Sequence, residues 1–275
     1  MKNRIVQPEI LDSLPPDHPA AVANRRDLRR LNRMMGTSSW IASTLERWYV
    51  QGDNILEAGA GDGELGRFLR RRLPVLQRCH YTGLDRSHTR PADWPAVWAW
   101  CRRDLLDHDF APKPHVLIAN FLLHQFTDAD LARLGRAISD IPAWIFCEPH
   151  RSRLALAGLA ALRPFGLHEV SWHDGRVSVQ AGFRGPELAD LLGADAAGRQ
   201  TRVTIDWRGS YRLVSIIPES RGSQFRRRCY KPTKSDSEQN PGPSAETIPK
   251  PPRPGSRCSR YLSRTYSTVA DDMLP

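Results

Sequence analysis

The chain has 275 residues and a formal net charge of +10, long enough for an α/β domain of about 200–220 residues that buries roughly 70% of its unfolded surface. Half of that net charge lies in residues 219–275, which weakens the electrostatic case for a nucleic-acid partner of the folded part. Cys79, Cys101, Cys147, Cys229 and Cys258 are odd in number, scattered and without a Cys-x-x-Cys pair, which argues against a disulfide framework or zinc site and for reduced thiols in the cytoplasm. Met1 to Leu11 is polar and lacks the apolar segment of an export signal, and the longest apolar run, Leu154 to Leu162, is too short to span a bilayer.

Residues 1–20 are Pro-rich and expected to be extended. Ala21 to Met35 reads as a basic helix, with Leu28, Leu31 and Met35 on one stripe and Gly36 as its stop. Ser39 to Val50 reads as a second helix, with Ile41, Leu45 and Trp48 at helical spacing. The stretch that organises the chain comes next. Asn54 to Glu57 reads as a buried strand, Gly59, Gly61 and Gly63 as a tight loop, and Glu64 to Arg72 as a helix with Leu65, Phe68 and Leu69 on one face. Strand, glycine loop and helix open a nucleotide-binding βαβ unit, because glycines let the backbone turn sharply and let a ligand approach main-chain N–H groups. Gly61-Asp-Gly63-Glu-Leu-Gly66 also fits the G-x-G-x-x-G dinucleotide pattern. Glu57 weighs on that choice: a carboxylate at the strand end repels a diphosphate and suits a ligand with positive charge, such as the sulfonium and ammonium of S-adenosylmethionine.

Glu57-Ala-Gly59-Ala-Gly61-Asp-Gly63 resembles the first motif of class I S-adenosylmethionine-dependent methyltransferases. The resemblance covers about residues 20–217. It implies a Rossmann-like fold: a seven-stranded, mostly parallel sheet ending in an antiparallel hairpin, with helices on both faces. It places the cofactor at Glu57, Gly59, Ala60, Gly61 and Gly63, then at the ends of later strands. It also gives the two N-terminal helices a choice between packing beside the core and capping the active site.

Cys79 to Leu84 reads as the second strand, ending in Asp85-Arg86. A carboxylate there, about 20 residues after the glycine loop, is placed to accept hydrogen bonds from ribose hydroxyls, a requirement that NAD shares. Val97 to Cys101 is the third strand. Asp104-Leu105 follows, where the resemblance implies contact with the adenine. Only Arg86 to Ala96, with Pro91 and Pro95, separates these strands, so the second crossover helix is expected to shrink to a turn or so, with Trp94, Trp98 and Trp100 filling the space. Val116 to Asn120 is an unbroken apolar run that fits a covered parallel strand. Thr127 caps a helix over Asp128 to Ile138, and Ala143 to Cys147 is the fifth strand. Helices are expected over Arg151 to Leu162 and Glu187 to Leu192. Thr201 to Trp207 and Tyr211 to Ile217 alternate around Arg208-Gly-Ser as a hairpin. The chain therefore divides into a helical cap over 1–50, a methyltransferase domain over 51–218 and a basic Pro/Ser-rich tail over 219–275, expected to be disordered.

Methyl transfer from a sulfonium is an in-line displacement that depends mostly on positioning, and a hydroxyl acceptor also needs a base. Open α/β sheets bind ligands beyond the carboxyl ends of their strands. His124, after Asn120, and His173, beside Asp174 in an insertion over Glu169 to Phe183, are the candidate bases, with His150 a third histidine near the site. Glu148 to Ala155 and Trp172 to Phe183 resemble a bacterial subgroup of small-molecule methyltransferases. The expectation is O-methylation of a small molecule in secondary or cofactor metabolism. An NAD(P)-binding oxidoreductase, an RNA or protein methyltransferase and a non-catalytic module stay open. Asn120-Phe-Leu-Leu lacks the Asp/Asn-Pro-Pro-aromatic run of amino-methylating nucleic-acid enzymes, Cys147 reads as a buried strand cysteine, and Asp107-His-Asp109 as solvated carboxylates with no metal. Oligomeric state is left open.

Overall fold

A computed structural model describes residues 1–15 and 17–218; the expected disordered tail, 219–275, lies outside the described residues. The strands are β1 (Asn54–Ala58), β2 (His80–Asp85), β3 (Ala99–Arg102), β4 (Val116–Asn120), β5 (Ala143–Pro149), β6 (Gln200–Ile205) and β7 (Ser210–Ile216). They form one seven-stranded sheet in the order β3-β2-β1-β4-β5-β7-β6. β1 to β5 pair in parallel, while β7 runs antiparallel to both β5 and β6. The expected Rossmann-like sheet with its closing hairpin is present. β5 continues past Cys147 to Pro149, and the edge strand β3 starts at Ala99 rather than Val97.

The strands alternate between two buried layers, as strands covered on both faces must. Leu56, Ala58, Leu84, Leu117, Ala119, Trp144 and Phe146 pack on one side with Leu131, Leu134 and Ile138 of α4 (Asp128–Ile138) and Leu188 of α7 (Glu187–Leu191). Ile55, Tyr81, Val116, Ile118, Ile145 and Cys147 pack on the other with Ile41 and Leu45 of α2 (Thr37–Trp48) and Leu65 and Leu69 of α3 (Glu64–Arg72). α4 begins with a capping box in which Thr127 and Asp130 satisfy each other's backbone N–H groups.

No helix joins β2 to β3. Two turns do so, closed by Trp94 N–H to Pro91 O (3.0 Å) and Trp98 N–H to Pro95 O (3.0 Å). Indoles occupy the volume a helix would fill: Trp98 stacks on Tyr81 at 4.3 Å, and Trp94 meets Trp100 edge-on at 5.0 Å. Trp94 lies so close to α3 that a Cβ at Gly66 would stand 2.6 Å from its ring. The third glycine of the G-x-G-x-x-G pattern therefore has a packing reason of its own.

Helix α1 (Pro19–Met35) starts with Pro19 behind the His18 cap and stops at Gly36, whose φ is +64°. It packs against α6 (Glu169–Ala181), which occupies the stretch expected to be an insertion. The contact is polar. Asp27 accepts hydrogen bonds from His168 N–H (2.8 Å) and Ser171 Oγ (2.9 Å), and Asn24 donates to Asp174. Between β5 and α6 lies α5 (Arg153–Ala161), capped by Ser152. Residues 1–15 carry one short helical turn at Leu11–Ser13 and are tied down by side chains. Arg4 bonds the carbonyls of Ala181, His124 and Phe126, and Ile5 N–H bonds Gln180 O. No helix among the described residues is long and apolar enough to cross a membrane.

Candidate active site

The carboxyl ends of β1, β2, β4 and β5 open into a cavity of about 1140 Å³. Its floor is Gly59, Gly61, Leu84, Asp85, Asp104, Leu105, Phe121 and Leu122. Its roof and walls are Leu28, Leu31 and Met35 of α1, Leu154, Ala155 and Leu159 of α5, and Gly175, Ser178 and Val179 of α6, with Trp207 from the β6–β7 turn. α1 thus lies over the cavity, its apolar stripe facing in.

Gly59 and Gly61 have positive φ (68° and 56°). A Cβ at Gly61 would meet nothing within 4 Å, so open space lies above it. A Cβ at Gly59 would stand 3.0 Å from Leu122. Ala60 is buried and donates to Leu84 O (3.0 Å), which pins the loop to β2. Gly63 (φ 79°) caps α3 beneath Trp94. Neither Ala60 nor Gly63 lines the cavity; they shape the loop from behind.

Asp85 lines the cavity at the end of β2. Its Oδ2 accepts from Gly61 N–H (2.8 Å). Its Oδ1 accepts from the N–H groups of Ser87 and His88 and contacts the His88 ring at 3.0 Å. Burial alone would raise its pKa, but these hydrogen bonds hold it below the ordinary carboxylate value. Arg86 lines the cavity and faces Asp12 at 4.0 Å. Asp104 lines it too, with Oδ1 accepting from Leu106 N–H (2.9 Å), so it both caps a helical turn and fronts the cavity. Asn120 ends β4 in register just beyond the Ala58–Ala119 pair, and its Oδ1 is buried without a hydrogen-bond partner among the described residues.

Besides Ala60 and Gly63, the expected site residues Asn120, Glu57 and His173 lie outside the cavity lining. Glu57 is buried behind the glycine loop. Its Oε2 accepts from Tyr81 O–H (2.7 Å) and lies 3.2 Å from where a Gly66 Cβ would stand. The strand's pleat sends residue 57 to the α3 side, while Leu56 and Ala58 take the other face. Burial pushes its carboxyl up to about 8, only partly offset by the tyrosine. Glu57 is not among the residues that line the cavity, and burial favours its neutral form. His173 sits on the outer side of α6, half-exposed, with its Nδ1 3.1 Å from Asp174. Asp174 itself is committed to the N–H groups of Ile10 and Leu11 and to Asn24. His173 does not line the cavity.

His124 does line it, and it is buried. Its Nδ1 is 2.8 Å from Glu148 Oε2 and its Nε2 is 3.3 Å from Glu9 Oε1. Burial alone would lower the ring's pKa, but the two carboxylates outweigh it and raise it to about 9. The ring is thus an imidazolium with both N–H groups spent, which is a poor general base. Glu148 is fully buried and also accepts from the N–H groups of Leu122, Leu123 and His124. Glu9 accepts from Ser178 Oγ (2.5 Å) and Gln125 as well. Burial would raise its pKa, yet the bonds from His124, Ser178 and Gln125 hold it low. Glu9, His124 and Glu148 thus form one continuous hydrogen-bonded row. Sequence reasoning missed both carboxylates. Glu148 ends a buried strand as Glu57 and Asp85 do, and the same rule finds it. Glu9 has no local signal. Among the described residues, no group of three or more His, Cys, Asp or Glu is placed to hold a metal.

No family model matches the chain, and no curated protein matches it in sequence. Solved structures do match. The plantazolicin methyltransferase BamL, in complex with a triazolic desmethylPZN analogue and SAH, superposes with a TM-score of 0.57 at 10% identity over 75% of this chain and 92% of that one. The plantazolicin methyltransferase BpumL with SAH gives 0.58 at 10% identity over 75% and 91%. An O-methyltransferase family protein from Burkholderia thailandensis gives 0.51 at 15% identity over 74% and 62%. The chain has the fold of these methyltransferases.

Proposed function

We propose that this chain is an S-adenosylmethionine-dependent methyltransferase that methylates an apolar small molecule at oxygen. The observation that carries this reading is one continuous cavity joining a polar end at the glycine loop to an apolar end under α1 and α5. Its volume of about 1140 Å³ exceeds the roughly 300–1,000 Å³ of a pocket for one drug-sized ligand, leaving room for a cofactor beside an acceptor.

The residues present fit this cofactor. The bare backbone of Gly59 and Gly61 allows close approach. Asn120 ends β4 next to the lining residue Phe121, and its buried Oδ1 has no hydrogen-bond partner among the described residues. Glu9 and Asp85 line the cavity with carboxyl groups held below the ordinary carboxylate range, which suits a cation. Asp85 would accept from the ribose hydroxyls, with Arg86 beside it, and Asp104 with Leu105 would hold the adenine. When bound, S-adenosylmethionine supplies a methyl group activated by its sulfonium. The chain's own work is positioning. The Asp85–Gly61 bond fixes the loop, Leu28, Leu31, Met35 and Leu159 exclude water, and the Glu9 bridge closes residues 1–15 over His124. Gly66, packed under Trp94, weakens the oxidoreductase alternative, since the dinucleotide pattern needs no diphosphate to explain it.

A structure with S-adenosylhomocysteine bound tests the reading. The expected outcome is adenosine between Asp85 and Asp104, with the amino-acid end toward Gly59 and Asn120. A ligand seated elsewhere would defeat it.

A further inference from the structure

The acceptor must become a nucleophile, and the cavity offers little to deprotonate it. Among the described residues lining it there is no lysine, cysteine or tyrosine. His124 has both ring nitrogens committed to carboxylates; His88 keeps Nε2 but is bonded through Nδ1 to Asp85 at the end of β2, the position given above to the ribose, and Asp12 faces Arg86 at 4.0 Å. Glu9 is occupied by His124, Ser178 and Gln125. The cavity does offer positive charge. Arg33, Arg103 and Arg208 line it, and none of the three makes an ion pair among the described residues.

We infer that the acceptor enters already ionised, as an apolar carboxylic acid, and leaves as its methyl ester. The inference rests on the methyltransferase reading above and names the substrate class of that same site. One carboxylate oxygen forms a bond to the methyl carbon as the carbon–sulfur bond of the sulfonium breaks. The bonding pair returns to sulfur and no proton moves, so no base is required. A carboxyl with a pKa of about 4 is ionised at neutral pH, whereas a phenol near about 10 keeps its proton. These arginines, of which Arg208 lies over the Trp207 ring at 5.1 Å, draw an anion toward the mouth, and Leu28, Leu31, Leu154 and Leu159 receive its apolar body. Glu9, Asp12, Asp85 and Asp104 share the same lining, which favours a single negative charge over a phosphate dianion.

The test pairs decanoic acid with 1-decanol and 2-naphthoic acid with 2-naphthol. Each is titrated calorimetrically into protein saturated with S-adenosylhomocysteine, then incubated with protein and S-adenosylmethionine for mass spectrometry. Each acid is expected to bind about tenfold or more tightly than its hydroxyl partner, a difference of about 1.4 kcal/mol, and at least one to yield a methyl ester. Arg208→Gln should weaken acid binding severalfold while leaving decanol and S-adenosylhomocysteine affinities unchanged. Hydroxyl compounds that bind or react as well as the acids would overturn the inference, as would acids that fail to bind the loaded protein. Failure to bind S-adenosylhomocysteine, measured first, would overturn the methyltransferase reading itself.

Discussion

Replacing Glu57 with Gln should make the protein less sensitive to rising pH and leave S-adenosylhomocysteine affinity unchanged. The Glu57 carboxyl titrates near 8 in the folded chain, against an ordinary value of 4.5. A carboxyl raised in this way holds its proton in the folded state. Its favourable contribution is fully present below about pH 4.5 and is lost as pH climbs through about 8. Between pH 5 and pH 8 the wild type should lose about 3 kcal/mol from this group alone, at about 1.36 kcal/mol per unit. Gln has no proton to lose and keeps an oxygen to accept the Tyr81 O–H bond. The stability of the variant relative to wild type should therefore shift in the variant's favour by about 3 kcal/mol over that range, whatever the fit of the amide. Urea unfolding followed by tryptophan fluorescence at pH 5, 6.5 and 8 measures it, with calorimetric titration of S-adenosylhomocysteine alongside. Parallel stability curves, or loss of ligand binding in the variant, would refute the reasoning and return the carboxylate to the ligand.

His124→Ala removes the cation between the buried Glu148 and the part-buried Glu9 and should destabilise the fold by about 3–5 kcal/mol, read as a lowered urea midpoint. An unchanged midpoint would mean that the Glu9–His124–Glu148 row does not form. His173→Ala should alter stability by less than about 0.5 kcal/mol and leave turnover intact; a loss of turnover would restore it as a base. Gly59→Val places a β-branched residue at φ +68° with its Cβ against Leu122. It should cost about 1–2 kcal/mol and abolish S-adenosylhomocysteine binding in calorimetry, whereas retained binding would move the cofactor off the loop.

What was legible in the sequence was local. β1, the glycine loop and α3 announce themselves because their apolar spacing and their glycines lie within one short stretch. The shrunken β2–β3 crossover could be read from Pro91 and Pro95, and its filling from three tryptophans. α6 was not legible as a helix, because Glu169–Ala181 mixes Ser, Asp, Gly and β-branched residues of modest helix propensity. Its buried face includes Ser171 and Asp174, held by Asp27, Asn24 and the N–H groups of Ile10 and Leu11. Tertiary polar contacts, not an apolar stripe, make that helix. Glu57 misled because strand position is legible and side-chain direction at a strand end is not. The partnership of Glu9 with His124, 115 residues apart, leaves no trace in spacing at all.

Calorimetric titration of the intact chain with S-adenosylhomocysteine and, in parallel, with NAD and NADP tests the central claim most directly. Saturable one-to-one binding of S-adenosylhomocysteine with no heat from either dinucleotide is the predicted result. Binding of a dinucleotide in its place would contradict the account.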